Sequence, residues 1–471
     1  MEERPAITDK TKIPLNRALG LPTGILLVAG IMIGSGVFKK IVPMSQALDS
    51  EPGILIAWVV AGVITMLGAF TYAGLASMTT ESGGIYEYLR LSYGNFFAFL
   101  FGWMIFMIGG SGAIAALAFV FAQAVNTLLP FPDIASTWKD LSVAGIIYPF
   151  ASAGIKIFAV LVIGILTWIN YRGVKYGGIL NNIVTAAKII GIGILIIAGF
   201  LYPSPSDSEE MDSFAQAGES TGVFLSAFFG ALLSALWAYD GWANITYISG
   251  EIKNPKRNVP LAIIAGVSIA MTLYVLLNYV YMRVLPLPIL SSLSENQVAA
   301  SEVAGVMMGK IGTLIITILI MICTLGALNA CIIVYPRLYF RMGQKGSFFR
   351  KTAYVHPAFR TPYIALLVSS AWSAVLVITG TFDLLTNLVI FTGFLFFGLI
   401  AFAVIKMTRK GIIKTKVIGY PVVPAIIILF SAALVVNTMI IQPNASMLGL
   451  LLVISGIPFY YFFKKNMSIH D

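Results

Sequence analysis

The stretch SALWAYDGWANITY (234–247) decides how this chain is read. It lies inside a long apolar run, yet it sets a carboxylate, Asp240, beside Gly241 where a membrane-crossing helix would have its middle. An ionisable side chain at that depth is expensive and usually faces a protein interior or a water-filled cavity. Glycine next to a short polar residue also weakens helix. The first apolar run carries a similar interruption, Gly34-Ser35-Gly36, directly after Ile31, Met32 and Ile33. A third oddity is Lys188, alone in NNIVTAAKIIGIGILII (181–197).

The composition around these stretches fixes the class. The 471 residues are 58% hydrophobic and 11% charged, with a mean hydropathy of +0.91. A soluble domain is about 45–50% apolar and about 25% charged, so a soluble enzyme, a nucleic-acid-binding module and a disordered chain are excluded. Charges and Pro/Gly/Asn breaks mark off twelve runs, at 21–44, 53–79, 94–129, 154–171, 179–201, 222–249, 260–284, 308–336, 362–380, 384–405, 420–441 and 446–463. Each is near the roughly 20 residues that a spanning helix needs. With both termini cytoplasmic, 23 of the 30 Lys and Arg fall inside, 6 outside and 1 within a span. The 20 acids divide as 7 inside, 12 outside and 1 within a span. This is the positive-inside asymmetry. The net charge of +10 therefore reports topology and contact with anionic lipid, not nucleic acid. Splitting the long third run would invert every later loop against this asymmetry.

All but two charges thus describe topology, and the exceptions are Lys188 and Asp240. Small residues in a span often serve close helix packing, but two interrupted spans, the first and sixth of twelve, point to a transporter site at the midplane. Unwinding there frees N–H groups that hold a carboxylate at a half-helix start. It also frees carbonyls that hold an ammonium. Such a site suits a zwitterion, of which an α-amino acid is the commonest. Trp237 offers a flat lid over the bound molecule.

Together, GSGVF (34–38), ESGGIYEYLRLSYG (81–94) and WAYDGW (237–242) followed by GEIKNPKRNVP (250–260) resemble the amino acid–polyamine–organocation superfamily, and within it the L-type amino acid transporter family. The resemblance runs from about Gly24 to Lys465. It implies an all-α membrane protein of twelve transmembrane helices with a LeuT-like arrangement. Two inverted five-helix repeats, 21–201 and 222–406, would carry unwound helices 1 and 6, with two peripheral helices in 417–463. Residues 1–20 and 464–471 would be cytoplasmic. It also implies substrate-binding roles: Ser35 and Gly36 donate to the substrate carboxylate, and the carbonyls of Met32, Trp237 and Asp240 receive its ammonium. Trp237 would be the gate toward the outside. Lys188 matches a lysine of the family's fifth helix. In related sodium-driven transporters a sodium ion ties the first helix to the eighth in that region, so Lys188 would stand in for the ion and make transport sodium-independent.

Two departures from the family follow. Animal members bond to a glycoprotein heavy subunit through a cysteine between spans 3 and 4, and segment 130–153 holds no Cys, so no disulfide-linked heavy subunit is expected. Many members carry Asn directly after the GW of the sixth helix; here that position is Ala243, and Asn244 comes one step later. One step turns a side chain by about 100° around a helix, so a substrate contact by Asn244 is left open.

The expected activity is sodium-independent exchange of small neutral L-amino acids by alternating access in the cell membrane, with membrane lipids as the other partner. Asp240 leaves room for cationic side chains, and a proton-coupled symporter or uniporter titrating Asp240 is the alternative. A membrane enzyme or a channel is a third class, but no catalytic constellation or P-loop pattern is present. His356 and His470 lie far from any Cys or acid cluster, and Cys323 and Cys331 share one span, so no metal, cofactor or disulfide framework is expected. The sequon Asn444-Ala445-Ser446 is read as chance, and the basic segment 337–361 as a solvated linker with some membrane contact.

Overall fold

A computed structural model describes residues 19–467 except 77, 79–82, 133, 135, 143–147, 173–176, 204–220, 295–296, 360, 414 and 416. The acidic segment 207–219, the terminal segments 1–18 and 468–471 with His470, and Glu81 and Ser82 of the 81–94 motif lie outside the described residues. Among the described residues the chain is helical, and eleven helices are long and apolar enough to cross a membrane. The twelfth span is the shorter apolar helix Tyr363–Thr379. The molecule is a multi-pass membrane protein of twelve spans.

Span 1 is a broken helix, Leu21–Met32 followed by Gly36–Lys39 and Ile41–Ala47. Spans 2 to 5 are Glu51–Ala76, Asn95–Leu128, Ala153–Tyr171 and Gly177–Leu201. Span 6 is Thr221–Tyr239, continued beyond a break by the 3-10 helix Trp242–Glu251. Spans 7 and 8 are Pro255–Val284 and Ala299–Gln344, span 9 is Tyr363–Thr379, and spans 10 and 11 are Phe382–Arg409 and Val422–Ile441. Span 12 is the pair Pro443–Ile454 and Gly456–Met467.

The long third run is one span. It contains a π-helical turn at Ile105–Gly109. Such a turn frees carbonyls, and two from this region receive Tyr339 Oη on Ile105 at 3.1 Å and Trp372 Nε1 on Met107 at 2.8 Å. Span 8 is longer than its apolar run at both ends, with a kink at Gly309, where φ is 60°. Its last turns reach into the segment read as a solvated linker. Leu338, Tyr339, Met342, Phe348 and Thr352 are buried there, because the basic side chains alternate with an apolar face that packs.

Span 3 is the most enclosed, 89% buried, whereas spans 11 and 12 are 28% and 22% buried and so sit at the periphery. The pairing of spans has a symmetry. Span 1 packs on spans 5 and 7, and span 6 on spans 10 and 2; spans 3 and 8 pack on each other, as do spans 2 and 7 and spans 4 and 9. Exchanging each of the first five spans with the one five places later leaves this pattern unchanged.

Candidate functional site

The two breaks meet. The first opens where Ile33 leaves helical geometry, with ψ at 82°, and the Gly34 N–H turns back to the Met32 carbonyl at 2.8 Å. Helix resumes at Gly36, leaving the Ser35 and Gly36 N–H groups without an intrahelical acceptor. The second break is at Asp240-Gly241. Asp240 N–H bonds the Trp237 carbonyl at 3.1 Å, and Gly241 has φ 93°, a left-handed conformation that a side chain disfavours. A Cβ on Gly36 would lie 2.5 Å from Ala238 Cα, so the two chains touch only because residue 36 has none.

Three side chains fasten these frayed ends. Trp237 Nε1 donates to Ser35 Oγ at 3.2 Å, across the gap between the breaks. The Tyr274 hydroxyl of span 7 reaches both the Met32 carbonyl at 2.7 Å and the Ala238 carbonyl at 3.0 Å. Lys188 Nζ donates to the carbonyls of Gly30 at 3.0 Å and Ile33 at 3.1 Å. Those are terminal carbonyls of a helix whose next turn is missing, so they have no intrahelical donor. Lys188 is 1% exposed. A Cβ on Gly326 of span 8 would be 3.3 Å from its Nζ, so the amine lies between spans 1, 5 and 8.

Ile31, Met32, Gly34, Ser35 and Gly36 of span 1 face Trp237, Asp240, Gly241 and Asn244 of span 6 across one cavity, completed by Ala113, Leu117, Cys331 and Tyr335. Met32, Ser35, Gly36, Trp237 and Asp240 are therefore brought together, whereas Lys188 stands behind the first break and outside the cavity wall. Asn244 does reach the cavity. Its expected displacement presumed a continuous helix, and the left-handed Gly241 followed by 3-10 geometry resets the register. Asp240 also borders a second, more apolar cavity between spans 2, 6, 10 and 11, with Thr65, Tyr239 and Phe394 in its wall.

Aromatic and charged contacts lie toward both ends of the site. Toward the residue 40 end, Trp237 meets the ring of Phe382 edge-on at 6.2 Å, and the Lys39 and Lys40 amines each lie 4.7 Å from that ring's centre. Lys40 pairs with Asp383 at 2.5 Å and Thr386 at 2.7 Å, and Lys39 with Gln123 at 2.9 Å. The charge census placed these lysines at a span end, but both are buried, because the second half of span 1 continues to Ala47. At the opposite end the helix Ile85–Tyr93 carries Glu87, 2% exposed, which accepts from Arg90 at 2.8 Å and Arg341 at 2.9 Å.

Sequence reading missed Tyr274, Lys40, Phe382 and Tyr335. Tyr274 sits in YVLLNYVYM with two other tyrosines, and nothing local separates them. Cys323 and Cys331 are free and buried, and no His/Cys/Asp/Glu cluster fit for a metal occurs among the described residues.

Comparison with known proteins agrees with this geometry. The family model described as Amino acid permease matches residues 19–462. The serine/threonine exchanger SteT of Bacillus subtilis (strain 168) is 29% identical over 459 residues, covering 96% of this chain and 98% of that protein. The b(0,+)-type amino acid transporter 1 of Homo sapiens is 31% identical over 464 residues, covering 95% of this chain and 88% of its own. The large neutral amino acids transporter small subunit 2 of Mus musculus is 26% identical over 458 residues, covering 95% and 81%. With helices broken at facing positions around one central cavity, and a match over nearly its whole length, the chain belongs to the amino acid permease family.

Proposed function

We propose that this amino acid transporter is a sodium-independent exchanger of small neutral L-amino acids, working by alternating access in the cell membrane with both termini cytoplasmic. The observation that carries the reading is the seat of Lys188 on the Gly30 and Ile33 carbonyls. A fixed ammonium there supplies the positive charge between spans 1 and 8 that a sodium ion would otherwise bring, so no ion gradient need be spent. The N–H groups of Ser35 and Gly36 take the substrate carboxylate, and the carbonyls of Met32, Trp237 and Asp240 its ammonium. The Met32 carbonyl already holds Tyr274 and Gly34, so an arriving ammonium shares it with the tyrosine hydroxyl. Trp237 closes the site outward.

The name of the serine/threonine exchanger supports exchange, and that of the large neutral amino acids transporter small subunit 2 supports a neutral substrate. The repeats 21–201 and 222–406 move against each other, and 417–463 stays peripheral. No Cys occurs in 130–153, so the chain works without a disulfide-linked heavy subunit. Asp240 in the cavity favours one second reading, uptake of cationic amino acids or proton coupling.

Liposomes preloaded with each unlabelled amino acid, assayed for labelled uptake with and without sodium and with an imposed pH gradient, test this. Exchange predicts uptake that needs internal amino acid and ignores sodium. Uptake independent of the internal load, driven by the pH gradient, would establish symport in its place.

A further inference from the structure

Beyond the two breaks, the cavity wall contains Ala113 and Leu117 of span 3, Asp240 and Asn244 of span 6, and Cys331 and Tyr335 of span 8. Residues 113 and 117, and 331 and 335, are each four apart, so spans 3 and 8 each present one helical face. Span 3 offers small apolar surface. The other side is polar in a specific way. Asn244 Nδ2 donates to the Tyr335 hydroxyl at 3.5 Å, beyond the usual 2.7–3.2 Å range of such bonds. Both groups are buried, where an under-used polar atom is costly. Among the described hydrogen bonds the Tyr335 hydroxyl only accepts, which leaves its own proton free to be donated. Asp240, on the same wall, is an acceptor when ionised.

We infer that Tyr335 and Asp240 select the substrate side chain, reading a hydroxyl of the serine or threonine type, with Asn244 as the residue that positions the Tyr335 hydroxyl. This rests on the exchanger reading above and specifies its substrate class. A hydroxyl both accepts and donates, so it takes the proton of Tyr335 and gives its own to Asp240. An alkyl side chain of equal size offers a partner to neither the Tyr335 proton nor the Asp240 carboxylate. A carboxylate is repelled by Asp240. An ammonium satisfies Asp240 but presents only donors to the Tyr335 proton. Sites built to bond a substrate hydroxyl reject analogues lacking it far more strongly than apolar pockets sort sizes.

The test compares threonine with valine, which replaces the hydroxyl by a methyl group. In proteoliposomes of the full chain, wild type should give a threonine-to-valine ratio of kcat/KM of about ten or more. Tyr335→Phe should bring that ratio close to one, and Asn244→Ala should lower it by a smaller factor. Thermal-shift titration of purified wild-type protein with threonine and valine reads the same preference without transport or any variant. Equal affinity for the two amino acids, or a ratio untouched by Tyr335→Phe, overturns the inference while leaving exchange intact. Wild type that exchanges no amino acid overturns the exchanger reading itself, and the titration then still decides the hydroxyl preference.

Discussion

Lys188→Ala is the most informative single change. The amine makes two bonds to backbone carbonyls, at 3.0 and 3.1 Å, in a site that is 1% exposed. Alanine removes both and cannot fill the space, so the Gly30 and Ile33 carbonyls are left dry and unpaired. Each such group costs about 1–3 kcal/mol, giving roughly 2–6 kcal/mol against the closed arrangement of the first break. At about 1.4 kcal/mol per tenfold, even 3 kcal/mol shifts the balance between the fastened and the loosened end of span 1 by more than about a hundredfold. The assay is counterflow in proteoliposomes matched for protein content, across a series of sodium gradients, with thermal unfolding in detergent as a second readout. Wild type should show no sodium response, and Lys188→Ala should lose most of its uptake and unfold at lower temperature. Lys188→Met keeps much of the volume and should behave like alanine, since the bonds and charge are what matter. Uptake by Lys188→Ala equal to wild type throughout the sodium series would refute the reasoning.

Other expectations follow from the same geometry. Tyr274→Phe removes one hydroxyl that touches both breaks, so it should weaken substrate affinity several-fold in competition assays while the protein still inserts and purifies. Tyr239→Phe removes a single bond, 3.0 Å long, to the Trp58 carbonyl of span 2 and keeps the ring; its cost should stay near 0.5–1.5 kcal/mol in unfolding experiments, with exchange close to wild type. Asp383→Asn leaves the buried Lys40 without its carboxylate. Breaking a buried pair from one side costs about 3–5 kcal/mol, and exchange should fall steeply; Lys40→Met in the same background should recover thermal stability, and a double variant no more stable than Asp383→Asn would count against the pair.

Much of the site is legible before folding because membrane solvent makes polarity conspicuous. Asp240 and Lys188 stand out against hydrocarbon, and Gly34-Ser35-Gly36 marks a helix that cannot continue. The resemblance then assigned roles to Ser35, Gly36 and Trp237, which do line one cavity. Other residues were hidden by the same logic. Lys39 and Lys40 read as ordinary span-end charges, and only the continuation of span 1 to Ala47 shows that they are enclosed on Phe382 and Asp383. A contact by Asn244 was left open on a helical rotation that the 3-10 segment does not follow.

The sequence by itself determined the class, the number of spans and the two places where helix fails, because each follows from local hydropathy, charge and backbone propensity. Only the tertiary structure decided what fastens the broken ends. Tyr274 lies 242 and 36 residues from the two carbonyls it reaches, and Lys40 lies 343 residues from Asp383. A hydrogen bond of about 3 Å is a statement about space, and neighbours along the chain carry no record of it.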